Sequence, residues 1–294
     1  MQLITHRAID VGLGDSQGWA LQESRWESFL EQIRAGCGLE FDVQLLNDGR
    51  FVVSHDSSLA RIVPGCNKAL SSLSTDDLRS FAVPNGRLCS LEELLSLIVE
   101  CGRSISALHL KSHCQEMATL ERILDAISPK IDSLIGRLLI FDARPQVAAQ
   151  IMQRFPELDI AASVAHPFDV LRYGAITGGT LLTPQEVFAN RHLYSWVWLD
   201  EWDTLDANSE KKTFVNSDSV NFFQNLGLKV AAVSPELHAL SPALLGGEKH
   251  EDGADVVRLV RRWQQWSQLG IDALCTDHAS WISTNLQPQL MSGL

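Results

Sequence analysis

Eight times along its 294 residues, the chain sets a short apolar run of strand length before a longer stretch of helical period. The candidate strands are 2–5, 39–46, Ile105–Leu110, Leu138–Phe141, Asp159–Ser163, Ser195–Leu199, Lys229–Val233 and Ile271–Cys275. Between them lie helical patterns such as Glu116–Ile127, Gln146–Phe155, Thr213–Leu226 and Asp255–Leu269. Alternation of this kind demands parallel strands, and eight units predict closure into a (β/α)8 TIM barrel, an α/β fold. An open doubly wound sheet would need a glycine-rich phosphate loop after the first strand. His6-Arg7-Ala8-Ile9 is not such a loop. No linker or internal repeat divides the chain, so residues 1–294 are expected to form a single domain.

One stretch breaks the rhythm. Asn47-Asp48-Gly49 predicts a hairpin turn, because glycine accepts positive φ, and Phe51–Ser54 runs back as a short strand. Residues 57–90 then read as a polar, irregular insertion with Pro64-Gly65 and Pro84-Asn85-Gly86. Ser74 begins a short helix inside it, and Ser90 caps the helix through Leu91, Leu94, Leu95 and Ile98. A small hairpin and loop insertion thus follows the second strand. Upstream, a glycine-rich loop spans Ala8 to Leu21, and Trp26, Phe29, Leu30 and Ile33 repeat at helical spacing up to Gly36.

In a barrel of this type, reactive groups gather at the C-terminal ends of the strands. Those ends are polar here almost throughout: His6-Arg7, His109-Leu110-Lys111, Asp142, Asp200-Glu201, Glu236-Leu237-His238 and Thr276-Asp277-His278. The second strand carries Glu40 and Asp42 two apart, so both carboxylates point to one face and Leu39, Phe41 and Val43 to the other. Two like charges so close require a cation or a proton between them. The plainer alternative is an edge hairpin with solvated acids. His6 and His55 form a candidate acid-base pair, since imidazole titrates near neutral pH. Arg7 and Lys111 are candidates for holding a phosphate, or for pairing with the acids at the barrel mouth. Trp198 and Trp202 either line an apolar wall for a substrate tail or pack against outer helices.

Composition narrows the partners. A net charge of −12 argues against nonspecific nucleic-acid or anionic-membrane binding, which needs a basic surface. A single phosphate can still be held locally. No apolar run reaches membrane-spanning length. The six cysteines form no Cys-x-x-Cys pair, and the start of the chain lacks a signal-peptide pattern. Reduced thiols in a cytoplasm are therefore expected. The pattern does not fix an oligomeric state.

An ordered set of residues resembles the glycerophosphodiester phosphodiesterase family, in the phospholipase C-like phosphodiesterase superfamily. The set comprises His6-Arg7, Glu23, Glu40-x-Asp42-Val43, Asp48-Gly49, Val52-Val53-x-His55-Asp56, Leu91-Glu92-Glu93, Lys111 and Gly270–Asp277. The resemblance implies metal-dependent hydrolysis of a small glycerophosphodiester to glycerol 3-phosphate and an alcohol. It implies His6 and His55 as general acid and base, and Arg7 and Lys111 on the phosphate. Glu40 and Asp42 would hold a divalent cation such as magnesium, calcium or manganese. Two departures stand out. The family's Pro-Glu-Asn-Thr is here Gln22-Glu23-Ser24-Arg25, keeping only the Glu, and His109 occupies the position where relatives carry a third acidic ligand. His109 is then the third ligand, or Asp142 or Glu236 replaces it, or the metal site is broken. The altered segment Ser234–His238 leaves open a phosphodiesterase acting on another phospholipid or sugar-phosphate diester, and the missing third carboxylate with the degraded loop motif leaves open a barrel that binds a phosphorylated ligand without catalysis.

Overall fold

The computed structural model describes residues 1–13, 22–63, 65–202, 204, 208, 210–240 and 250–286. Most of the predicted glycine-rich loop, 14–21, and Pro64 lie outside the described residues. Strand β1 (Gln2–His6) pairs in parallel with both β2 (Gly38–Leu45) and β9 (Ala273–Thr276). That double pairing closes a ring, which runs on from β2 through β4 (Ser106–His109), β5 (Leu138–Phe141), β6 (Asp159–Val164), β7 (Trp196–Leu199) and β8 (Lys229–Val233). Every contact around the ring is parallel, and helices fill the connections, as the alternation predicted. Strand β3 (Phe51–Val53) is the exception. It lies antiparallel on β2, outside the ring, with Val43 opposite Val53.

Alternation along the strands sorts the side chains into two shells. One apolar cluster, between strands and helices, takes Leu39, Phe41, Val43, Leu108, Ile140, Val197 and Leu274. The other, from the opposite faces, takes Ile4, Ala107, Leu139, Ala161, Trp196, Ala231 and Ala273. A ring this narrow has room inside for few large groups. Trp196 shares it with small alanines from β4, β6, β8 and β9. Glu40 and Asp42 alternate with Leu39, Phe41 and Val43, so both acids face the barrel interior at its mouth while the apolar residues are buried outside. Truncating Leu39, fully buried, to Ala would cost about 2–5 kcal/mol through lost transfer energy and the cavity left behind. Gly38 opens β2 because a Cβ there would stand 1.9 Å from the carbonyl oxygen of Ile105.

Local signals set the helix limits. Ser74 and Ser90 each form a capping box, with Asp77 and Glu93 respectively. The helix expected from Thr213 starts only at Ser217, because Asn216 caps it: its side-chain oxygen accepts from the amides of Asp218 and Ser219. The insertion is less irregular than its polar composition predicted. Leu59, Ile62, Val63, Leu70 and Leu73 fold inward with Leu46 and Val52 into a small core of their own. This core anchors the insertion against the β2–β3 hairpin and holds Arg61 over the barrel mouth.

Candidate active site at the barrel mouth

Register builds the site. Across β1, β2 and β4, His6 stands beside Glu40, and Asp42 beside His109. Residues separated by more than thirty positions thereby become neighbours at the same end of the ring. A cavity of about 340 Å³ opens there. His6, Arg7, Glu40, His55, His109 and Lys111 all line it, so six of the seven main candidates share one space. The seventh, Asp42, is buried beneath them, 2.9 Å from His109 Nδ1 and 3.3 Å from Lys111 Nζ.

The backbone is bent to make this possible. Arg7 and Ala8 sit at φ of 53° and 62°, and Asp142 at 70°, left-handed positions that side-chain-bearing residues seldom adopt. Each costs on the order of 1–3 kcal/mol and persists only where surrounding contacts enforce it. At Arg7 those contacts are plain: its amide donates to the Glu40 carbonyl at 3.0 Å. Its guanidinium donates to Glu23 Oε1 at 2.9 Å and brings Nε to 3.4 Å from Asp42 Oδ2.

Each candidate acid-base histidine is held by a carboxylate through Nδ1. His6 Nδ1 lies 3.0 Å from Asp277 Oδ1, and His55 Nδ1 lies 2.7 Å from Asp56 Oδ1. The two pairs are electrically unlike. Burial lifts the Asp277 carboxyl to about 8, so that it keeps its proton near neutral pH. Asp56, although partly buried, is held well below the usual carboxylate range by His55 and Arg61. Burial, then Arg7, lowers His6 well below its ordinary value. Burial takes His55 down to about 4 against the pull of Asp42 and Asp56. The main chain of His55 is fixed as well, because its carbonyl accepts from Lys111 Nζ at 2.7 Å and Gln44 Nε2 at 2.9 Å.

Glu40, Asp42 and His109 each offer a donor atom within 4.8 Å of the other two. Burial and the neighbouring Asp42 push the Glu40 carboxyl up. Asp42 Oδ2 is buried and accepts no hydrogen bond from the described residues. A proton-hungry acid beside an unsatisfied carboxylate oxygen and an imidazole is a donor set that fits a divalent cation. Glu236 lies apart from this group, since its carboxylate accepts from Ser234 Oγ, from Thr276 Oγ1 at 2.6 Å and from the Asp277 amide at 3.2 Å. Asp142 lines the cavity but meets the cluster through His109 Nε2, at 3.3 Å.

Residues 20–141 match the sequence profile of the glycerophosphoryl diester phosphodiesterase family. Over that segment the chain is similar to this family of phosphoric diester hydrolases. The matched segment contains Glu23, Glu40, Asp42, His55, His109 and Lys111, whereas the fold brings in His6, Arg7 and Asp277 from outside it. No curated protein matches the sequence. Solved structures do. A glycerophosphoryl diester phosphodiesterase from Parabacteroides distasonis is 16% identical with a TM-score of 0.63, over 96% of this chain and 86% of that one. A glycerophosphodiester phosphodiesterase from Thermotoga maritima is 16% identical with a TM-score of 0.59, over 96% of both chains. An Oleispira antarctica phosphodiesterase, in complex with the product sn-glycerol-3-phosphate, is 16% identical with a TM-score of 0.57, over 97% and 96%. At such identities the likeness speaks to the barrel fold alone.

Several groups at this barrel mouth were not legible beforehand. Arg61 donates Nε to Asp56 Oδ2 at 2.7 Å and its terminal nitrogens to both oxygens of Glu23. A lone arginine in a polar insertion carries no signal of that role. Ser112 and His113 also reach the cavity, by way of the turn after β4. Glu201, by contrast, faces away from it. Its Oε1 accepts from Arg262 at 2.7 Å and lies 3.2 Å from His250 Nε2, tying a strand end to the helix Val256–Gln268. Trp198 lines the cavity and stacks on Phe141 at 4.2 Å inside the barrel, rather than packing against the outer helices.

Proposed function

We propose that this chain hydrolyses glycerophosphodiesters to glycerol 3-phosphate and an alcohol, with a divalent cation at Glu40, Asp42 and His109 and with His6 and His55 as acid and base. The observation that carries the reading is one cavity in which His6 and His55, each tied through Nδ1 to its own carboxylate, stand with Arg7 and Lys111. The cation, when bound, supplies Lewis-acid polarisation of the phosphoryl group. Arg7 and Lys111 add positive charge where negative charge grows in the transition state.

The unlike carboxylate partners divide the labour. Asp56 is ionised and accepts the Nδ1 proton of His55, so His55 presents the Nε2 lone pair, as a base must. Asp277 keeps its proton and shares it with His6, so that pair holds one proton more and suits the acid. His55 then takes the proton of the nucleophile, a substrate hydroxyl or a water, and His6 protonates the leaving oxygen. The expected setting is a cytoplasm, where the six cysteines, all unpaired, remain reduced. No helix among the described residues is long and apolar enough to cross a membrane.

The test is turnover of a panel of glycerophosphodiesters by the full chain, with and without a chelator. Release of glycerol 3-phosphate that stops on chelation and returns with metal supports the reading. No turnover of any diester under any metal would refute it.

A further inference from the structure

We propose that the half of the cavity facing the catalytic histidines is a subsite for an apolar alcohol group of the diester, alkyl or aryl. This rests on the phosphodiesterase reading above and adds the class of substrate.

The ring order separates two halves. The polar groups come from β1, β2 and β4, whereas the facing strands β7 and β8 and the connections around them supply Trp198, Trp202, Leu181, Val233 and Leu237. Phe141, from β5, joins the two halves. Two of the polar groupings on the far side have partners within the protein. Asp200 Oδ1 is 2.7 Å from His238 Nε2, and the Thr177 hydroxyl donates to the Gly174 carbonyl at 3.2 Å. The Ser163 hydroxyl is left without a side-chain hydrogen bond among the described residues, and one hydroxyl offers little to the several hydroxyls of a second glycerol or a sugar. An alcohol placed against this wall is stabilised by leaving water rather than by hydrogen bonds.

The aromatic rings do not form a cage for a cationic headgroup. Such a cage needs open ring faces around the charge. Phe141 is sandwiched between His109, at 4.7 Å, and Trp198, at 4.2 Å, both nearly parallel to it. Trp202 stacks on Tyr173 at 5.0 Å. Phe141 thus has both faces covered and each tryptophan at least one, and Arg7 and Lys111 line the same cavity. At the outer edge stands Ile176, a lining residue that is 55% exposed and continues the apolar wall towards solvent. A chain too long for the enclosed volume has an apolar route outward.

The test reads binding separately from turnover. Methyl, butyl and octyl phosphate, and phosphocholine, are titrated calorimetrically into the full chain. Affinity should rise about three- to fourfold for each methylene that is buried, with phosphocholine weaker than butyl phosphate. Ile176→Asp, at a half-exposed rim position that folding tolerates, should flatten the dependence on chain length, and Leu181→Asp should abolish it. Affinity independent of chain length would overturn the proposal, as would tightest binding by phosphocholine or a slope unchanged in both variants. In parallel, kcat/KM is compared for glycerophosphodiesters of methanol, octanol and choline. Absence of all turnover would refute the phosphodiesterase reading while leaving the binding slope to judge the subsite. Turnover without preference for octanol, together with a flat slope, would remove the subsite alone.

Discussion

Arg61 lies with its Nε 2.7 Å from Oδ2 of Asp56, although the two residues belong to different parts of the barrel mouth: Asp56 follows the hairpin, and Arg61 sits on the insertion's small core. The same guanidinium grips Glu23, which in turn holds Arg7. One planar fork therefore connects Asp56, the partner of His55, with Glu23, the partner of Arg7, the arginine proposed to hold the phosphate. Arg61→Ala should lower kcat about 10- to 100-fold with a smaller change in KM, and added guanidinium should restore part of it. Lysine should rescue poorly, because an ammonium cannot span both carboxylates. Normal kcat in Arg61→Ala would show that the fork is structural only.

Replacing either histidine with alanine should reduce turnover by about two to four orders of magnitude with the fold intact. Asp56→Asn is the sharper probe. An amide can donate to His55 Nδ1 and so stabilise the tautomer with the proton on Nε2, which is the wrong one for a base. A loss of about two to four orders in kcat is expected, read alongside the imidazole nitrogen shifts by NMR. A variant that keeps both its turnover and its tautomer would take Asp56 out of the mechanism.

Asp277 should leave a mark on stability against pH. Its folded pKa, about 8, stands above its ordinary value because of burial. The folded state therefore binds that proton more tightly than the unfolded chain does. Its contribution to stability is full at low pH and is lost as pH rises between about 4 and 8. Asp277→Asn, uncharged throughout, should show a shallower decline of Tm across that interval. Parallel Tm curves for variant and parent would contradict the buried protonated carboxyl.

The metal response should depend on His109. Two carboxylates and an imidazole carry less negative charge than three carboxylates and add a nitrogen donor, which manganese or zinc accepts more readily than calcium does. Stripped protein should regain more activity with manganese or zinc than with calcium, and His109→Glu should reverse that order. Chelation should also lower Tm, since an ion bound only by the folded state stabilises it. Equal recovery with calcium before and after the substitution would exclude His109 as a ligand.

The barrel was legible because its causes are local. Strand and helix periods follow from which side chains must leave water, and alternation forces parallel pairing. Glu40 and Asp42 sharing a face against Leu39, Phe41 and Val43 followed from the period of two alone. Capping by Ser74 and Ser90 was equally local. Resemblance added roles for His6, His55, Arg7 and Lys111, but no linear pattern pairs His6 with Asp277, 271 positions away, or Arg61 with Glu23. Those contacts exist only once the ring has closed β1 onto β9 and a small apolar core has folded the insertion over the mouth. The shifts at His55, Asp56 and Asp277 arise the same way, from burial and neighbours that the folded chain brings together. Sequence by itself determined the architecture and the kinds of reactive group. Tertiary structure decided their pairing and their charge, because both depend on distance and exclusion of water rather than on order along the chain.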